Sequence, residues 1–262
     1  MGKGLFISGI KALLGLILLN FLAHQFYVRF DLTEDQRYSL SEASQDAVNN
    51  LEGPVVIDVL MDGDLPPEFL LLRKESRQFL EEFAEENPDL VINYVYPLEE
   101  ETQVEATIAQ LQSLGLTPVN ITVENTGKTT QELLFPWALL THNERTVKVP
   151  LLKNKLGATA EDRVNNSVQN LEYAFADAFY KLGIKDKKRI AVLKGNGQLA
   201  DQYLADFLTT IQDYYNIGAI TLDSVANNPE GTLKTLKEYD LALIAKPTQA
   251  FTDQEKYILD QY

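Results

Sequence analysis

Lys194-Gly195-Asn196-Gly197 is the segment of this 262-residue chain whose residue types and spacing come nearest to a ligand site. It follows an apolar β-type run, Arg189 to Leu193, and precedes a helix-patterned stretch, Leu199 to Tyr215. Backbone N–H groups at such a strand-to-helix turn can hold an anion. With Ala200 the spacing is G-x-G-x-x-A, the dinucleotide-binding spacing with alanine in the third place. Lys194, Gly195 and Gly197 are therefore the anion-site candidates. Asp223 stands near the place of a ribose-binding acid, but at a strand end that any α/β unit has. The plain alternative is a turn that needs glycine for its backbone alone.

Other combinations exclude more than they propose. Gly127-Lys128-Thr129 looks like the tail of a phosphate-binding loop, which needs a glycine five residues before Gly127; Thr122 stands there, so the segment reads as a hairpin turn. The pairs Glu81-Glu82 and Glu85-Glu86 and the run Glu99-Glu100-Glu101 do not converge, because adjacent residues on a helix do not face each other. They read as solvated helix faces. His24 and His142, the two histidines, are too few for a His-rich metal site and leave no Ser-His-Asp set. The absence of cysteine removes disulfides, thiol nucleophiles, CxxC redox chemistry and thiolate metal sites. A net charge of −15 argues against a nucleic-acid footprint. No catalytic residue, metal ligand or cofactor is nominated, and the chain reads as a non-enzyme.

Placement comes from the other end. Leu5 to Val28 is apolar throughout, with Lys11 as its only formal charge, and is long enough to cross a hydrocarbon core. The α-amine, Lys3 and Lys11 mark the N-terminal side as cytoplasmic. A cleavable signal peptide needs small residues before its cleavage site, and this stretch ends in bulky Phe26-Tyr27-Val28. The reading is an uncleaved anchor in the inner (cytoplasmic) membrane, with the soluble part in the periplasm. Asn20 is costly in hydrocarbon unless its amide meets a partner, so it is expected to face another transmembrane helix.

The elements that must position these residues follow from periodicity. Ser39 and Glu42 form a capping box before a short helix with Leu40, Ala43, Ala47 or Val48, and Leu51 on one face. Val55 to Met61 is a strand. Pro66-Pro67 opens a helix carrying Phe69, Leu72, Phe79 or Leu80, and Phe83, and Leu90 to Tyr96 is the next strand. Glu99 to Glu101 starts a helix through Leu114, with Gly115 as its C-cap. Val119 to Glu124, Gln131 to Leu140 and Thr146 to Leu151 are β-patterned. Val164, Val168, Leu171, Phe175, Ala178 or Phe179, and Leu182 form one helical stripe. Beyond Lys185-Asp186-Lys187-Lys188, strands at 189–193, 219–222 and 241–244 with intervening helices make a βαβ pattern and a parallel sheet.

The expected fold class is α/β. An N-terminal transmembrane helix precedes a thioredoxin-like β-α-β-α-β-β-α domain, in which Pro118 stands before the third strand where that fold carries a cis-proline. The start of a second parallel α/β domain, flavodoxin-like or amidotransferase-like, follows. The expected boundaries are 1–28 for the cytoplasmic tip and anchor, 29–53 for a juxtamembrane segment and short helix, 54–183 for the first periplasmic domain, and 184–262 for the second. The chain stops at Tyr262 inside a helix opened by Thr252 and Asp253, and the protein is expected to continue.

One combination of segments is more specific than any motif. The anchor followed by Arg29-Phe30-Asp31-Leu32-Thr33-Glu34-Asp35-Gln36-Arg37-Tyr38-Ser39-Leu40-Ser41 resembles the GldG family, gliding-motility-associated ABC transporter subunits of Bacteroidota. Leu134-Phe135-Pro136-Trp137-Ala138, Val149-Pro150-Leu151-Leu152-Lys153-Asn154 and Leu171-Glu172-Tyr173-Ala174-Phe175-Ala176-Asp177-Ala178-Phe179 continue the resemblance. So do Leu193-Lys194-Gly195-Asn196-Gly197, Ala245-Lys246-Pro247-Thr248 and Thr252-Asp253-Gln254-Glu255-Lys256-Tyr257. The resemblance covers essentially the whole chain. It implies a non-catalytic, membrane-anchored auxiliary subunit that works with a GldF-like permease and a GldA-like ATPase, and it supplies no catalytic residues. Asn20, Arg29, Asp31, Thr33, Asp35, Arg37 and Tyr38, within the anchor and at membrane level, are the partner-contact candidates. The alternative function is a periplasmic ligand-binding module for a small molecule or glycan, with Gly195 to Gly197 near its pocket.

Overall fold

The computed structural model describes residues 15–16, 39–99, 103–125, 128–153 and 157–262. Residues 41–262 form one compact unit of mixed α/β structure, distinct from residues 1–40. The apolar stretch Leu5 to Val28 lies outside the described residues except for Gly15 and Leu16, which are helical. Among the described residues no helix is long and apolar enough to cross a membrane.

A four-stranded sheet has the order β2-β1-β5-β6, formed by β1 (Val55–Val59), β2 (Leu90–Tyr94), β5 (Trp137–His142) and β6 (Arg145–Pro150). β1 pairs parallel with β2 and antiparallel with β5, and β5 pairs antiparallel with β6. The β-branched run of β1 suits this central place: Val55, Ile57 and Val59 are buried on one face. Helices α1 (Glu42–Asn49), α2 (Pro67–Glu86), α4 (Ala160–Val168) and α5 (Leu171–Gly183) accompany the sheet. In α2, Phe69, Leu72, Leu80 and Phe83 are buried, and the Phe83 ring lies 4.9 Å from Phe179 and 6.4 Å from Phe175 of α5.

The β-patterned run Gln131 to Leu140 is not one strand. Pro136 has no N–H for a ladder and cuts the run in two. The first half belongs to a separate hairpin of β3 (Val119–Asn125) and β4 (Lys128–Leu134); the second half is β5. The strand antiparallel to β1 is therefore β5 and not Val119 to Glu124. Pro118 precedes a hairpin strand outside the four-stranded sheet, and no described peptide bond is cis.

Several helix boundaries also differ from the sequence expectation, among them the stretch 199–215, of which only 201–211 is helical. Ser41, not Ser39, caps α1, its hydroxyl accepting from Ser44 N at 3.3 Å. Helix α3 (Val104–Ser113) begins after the acidic run, because the chain first turns at Tyr96, whose carbonyl accepts from Glu99 N at 3.3 Å. Its other end is a Schellman motif at Gly115 (φ +82°), with Leu116 N donating to Leu111 O at 3.1 Å and Gly115 N to Gln112 O at 2.8 Å. The single stripe from Val164 to Leu182 is two helices, α4 and α5. The junction closes where Asn170 N donates to Ser167 O (2.9 Å) and the Ser167 hydroxyl accepts from Lys153 N (2.8 Å). Both helices face the same core, which is why the stripe runs through the break.

The C-terminal part has a parallel three-stranded sheet, β8-β7-β9, formed by β7 (Arg189–Lys194), β8 (Asn216–Thr221) and β9 (Leu241–Leu243). Helices α6 (Asp201–Ile211), α7 (Pro229–Leu236) and α8 (Asp253–Gln261) connect and follow these strands. Ala191, Leu193, Ile220, Leu222, Val225, Leu236 and Ile258 make its core. Thr252 and Glu255 complete a full capping box on α8.

Candidate functional site

The turn after β7 lies where a parallel sheet of this order would accept a ligand, because β8 and β9 leave the central strand on opposite sides. Gly195, Asn196 and Gly197 all have positive φ, at +97°, +50° and +65°. The loop after β9 fills the space against them. Thr248 N and Gln249 N both donate to Asn196 O, at 3.0 and 2.9 Å, and the Thr248 hydroxyl donates to Gly197 O at 2.8 Å. Leu199 N donates to Ala245 O at 3.1 Å. A Cβ on Gly197 would stand 2.0 Å from Thr248 Oγ1. The close approach that glycine permits here is used by the protein's own backbone.

Charge around the turn is acidic. Lys194 is ion-paired with Asp201 at the start of α6. Asp201 supplies the negative charge that a helix N-terminus favours. The Asp223 carboxylate lies 3.7 Å from where a Gly195 Cβ would be. Glu255, 8% exposed, accepts from Thr252 N (2.6 Å) and from Asn196 Nδ2 (3.3 Å). Helix α6 starts at Asp201, four residues past Gly197, so the glycine turn does not run directly into the helix. The structure brings Lys194, Gly195 and Gly197 together with Asp223, but in a turn that is internally filled and ringed by carboxylates.

A second polar cluster escaped the sequence reading. Asp177 on α5 accepts a hydrogen bond from the Tyr214 hydroxyl and pairs with Lys181 at 2.9 Å. Lys181 also pairs with Asp213 at 3.0 Å, and its ammonium lies 5.0 Å from the Tyr214 ring centroid. Partial burial, then the hydrogen bond and charge of Asp177, push the Tyr214 phenol up to about 12, against the pull of Lys181. Burial works to lower the Lys181 pKa, but the two carboxylates outweigh it and raise the value above the usual lysine range. The cluster joins α5 to the segment between α6 and β8. Asp177 and Lys181 sit four apart, a visible ion-pair spacing, but their partners lie more than 30 residues away and no periodicity points to them.

The remaining candidates are placed as follows. Asn20, Arg29, Asp31, Thr33, Asp35, Arg37 and Tyr38 lie outside the described residues. Lys128 begins β4, paired with Asn125 of β3. Glu81, Glu85 and Glu86 are exposed, whereas Glu82 is 7% exposed and accepts from Gln78 Nε2 at 3.2 Å, so that helix face is not wholly solvated. His142 is buried, with Nδ1 at 3.1 Å from Pro54 O, tying the end of β5 to the start of β1. Among the described residues no group of three or more histidines and carboxylates could hold a metal.

Residues 34–141 match the family model of a domain of unknown function, DUF7088. Residues 187–262 match the family model described as an ABC-type uncharacterized transport system. No curated protein and no solved structure matches the chain. The second match supports an accessory role in an ABC-type transport system, and with it an association with transporter components and with a membrane.

Proposed function

We propose that the protein is a non-catalytic, membrane-anchored auxiliary subunit of an ABC transporter of the gliding-motility type, a GldG-like protein with its body in the periplasm. The match of residues 187–262 to the ABC-type transport family carries the reading. The apolar segment Leu5 to Val28 is assigned as its single anchor in the inner membrane. Residues 54–183 and 184–262 are assigned as two α/β domains, the first thioredoxin-like. Its strand order and pairing support that assignment, and the gap between the two family matches falls across the proposed boundary. GldF-like permease and GldA-like ATPase subunits are the partners, met through Asn20 and the membrane-level residues Arg29, Asp31, Thr33, Asp35, Arg37 and Tyr38. The filled, acid-ringed turn at Gly195 to Gly197 favours this reading over a ligand-binding module centred there.

The test is recovery of a complex. The full chain, expressed with a GldF-like permease and a GldA-like ATPase from the same genome, should co-purify with both from detergent-solubilised membranes. Asn20→Leu should still insert but recover less permease. A chain that elutes alone while permease and ATPase remain together rejects the proposal.

A further inference from the structure

Helices α1 and α5 run side by side and leave between them an open cleft of about 400 Å³. Its lining includes Ala43, Ala47 and Ala176, flanked by Tyr173 and Tyr180. Tyr173 and Tyr180 are 66% and 57% exposed, although the opposite face of α5 is deeply buried. They stand seven residues apart, two helical turns or roughly 10 Å along one face. Large exposed aromatics beside a strip of alanine methyls are the make-up of an interface anchor site, not of an ordinary solvated helix.

The cleft is also charged in one sense. Among the described residues, Glu172 and Asp177 line it, and no lysine, arginine or histidine does. Glu172 is fixed in place: Ser41 N donates to it at 2.8 Å and the Ser44 hydroxyl at 2.6 Å. Partial burial alone would raise its pKa, but those hydrogen bonds hold it below the ordinary carboxylate value, so it stays ionised at neutral pH. Asp177 shares the single ammonium of Lys181 with Asp213, which leaves the neighbourhood negative. A tyrosine face next to an oriented carboxylate is a receptor for an organic cation. Ser41, which lines the cleft, follows Val28 by 13 residues, a separation of at most about 45 Å. A partner embedded in the same membrane is within reach of it.

We propose that the cleft between α1 and α5 is a docking site for a lysine- or arginine-bearing extramembrane segment of the transporter's permease, its cation seated against Tyr173 and Glu172 and its apolar side chains on the alanine floor. The inference rests on the accessory-subunit reading and adds the surface and the partner chemistry.

The experiment uses the full chain co-expressed with the permease and ATPase. The photo-crosslinker p-benzoylphenylalanine replaces Tyr173 in the cleft or, as a control, Tyr257 on α8, which is 62% exposed. Irradiation should join position 173, and not 257, to a permease peptide containing lysine or arginine. Ala43 is exposed on α1, so Ala43→Lys and Ala43→Glu should both fold, with melting temperatures close to wild type. Ala43→Lys should lower the crosslink at least tenfold, and Ala43→Glu should leave it within twofold. Equal loss in both variants would refute the cationic partner. Co-purification without a crosslink at 173, or a crosslink only to another copy of this chain, would refute the docking site and leave the accessory reading standing. Failure of the complex to form would reject both.

Discussion

Replacing Gly197 by alanine tests whether the turn after β7 is a structural joint. Two costs are expected. Alanine at φ +65° pays about 1 kcal/mol for the left-handed backbone. Its Cβ would stand 2.0 Å from Thr248 Oγ1, and the cheapest relief is rotation of the Thr248 side chain. That rotation breaks its 2.8 Å hydrogen bond to Gly197 O, worth about 1 kcal/mol. The total of about 2 kcal/mol corresponds to a melting temperature lower by about 4–8 °C for a protein of this size. Urea unfolding followed by far-UV circular dichroism measures the change. Thr248→Ala removes the clashing oxygen, so within that background Gly197→Ala should cost only the backbone part. The double-mutant cycle should therefore show a coupling of about 1 kcal/mol. A neutral Gly197→Ala, or a coupling indistinguishable from zero, would refute the reasoning. So would a saturable rise in wild-type melting temperature with ATP, NAD or a sugar phosphate, which a ligand-free joint should not give.

Further outcomes follow from other sites. Tyr214 has a folded pKa near 12 against the ordinary 10, so the folded state keeps a proton that the unfolded state releases. The stability it contributes is fully present below pH 10 and is lost as pH rises towards 12; absorbance titration at 295 nm should show a late phenol step near pH 12 that disappears in Tyr214→Phe. Asn87 is buried, donates to Val48 O at 2.9 Å and accepts from Asp89 N at 3.0 Å. Asn87→Ala should cost about 2–3 kcal/mol in urea unfolding, and a change under about 0.5 kcal/mol would contradict its role in tying α1 to the turn after α2. Phe83→Ala removes a fully buried ring packed on Phe175 and Phe179 and should cost about 3–5 kcal/mol by the same assay.

What was legible in the sequence was mostly local. Hydrophobic spacing located α2, α5, β1 and β7 because each buries one face or a continuous run, and Gly115 and Thr252 announced their caps through chemistry that acts within a few residues. The errors share a cause. Gln131 to Leu140 is uniformly β-prone, so only attention to the missing N–H of Pro136 would have divided it between two sheets. Val164 to Leu182 keeps one stripe across a helix break because both halves face one core. The adjacency of Glu81 and Glu82 points to a solvated helix face, although Glu82 falls beside Phe83 on the inner side of α2. The turn at Lys194 to Gly197 was recognisable as special, but its partner, the loop at Ala245 to Gln249, lies some 50 residues on, beyond any local pattern. Tyr173, Tyr180 and the Asp177–Lys181–Asp213–Tyr214 cluster went unread for the same reason: their meaning depends on which helices and loops meet.

The proposal places this chain in a transporter assembly, as the match of residues 187–262 to an ABC-type transport family supports. Size-exclusion chromatography with mass analysis of the affinity-purified full chain, co-expressed with a GldF-like permease and a GldA-like ATPase, tests it most directly. A single peak holding all three proteins in fixed ratio is the expected result. A peak of this chain alone, with an intact permease–ATPase complex left in the unbound fraction, would contradict it.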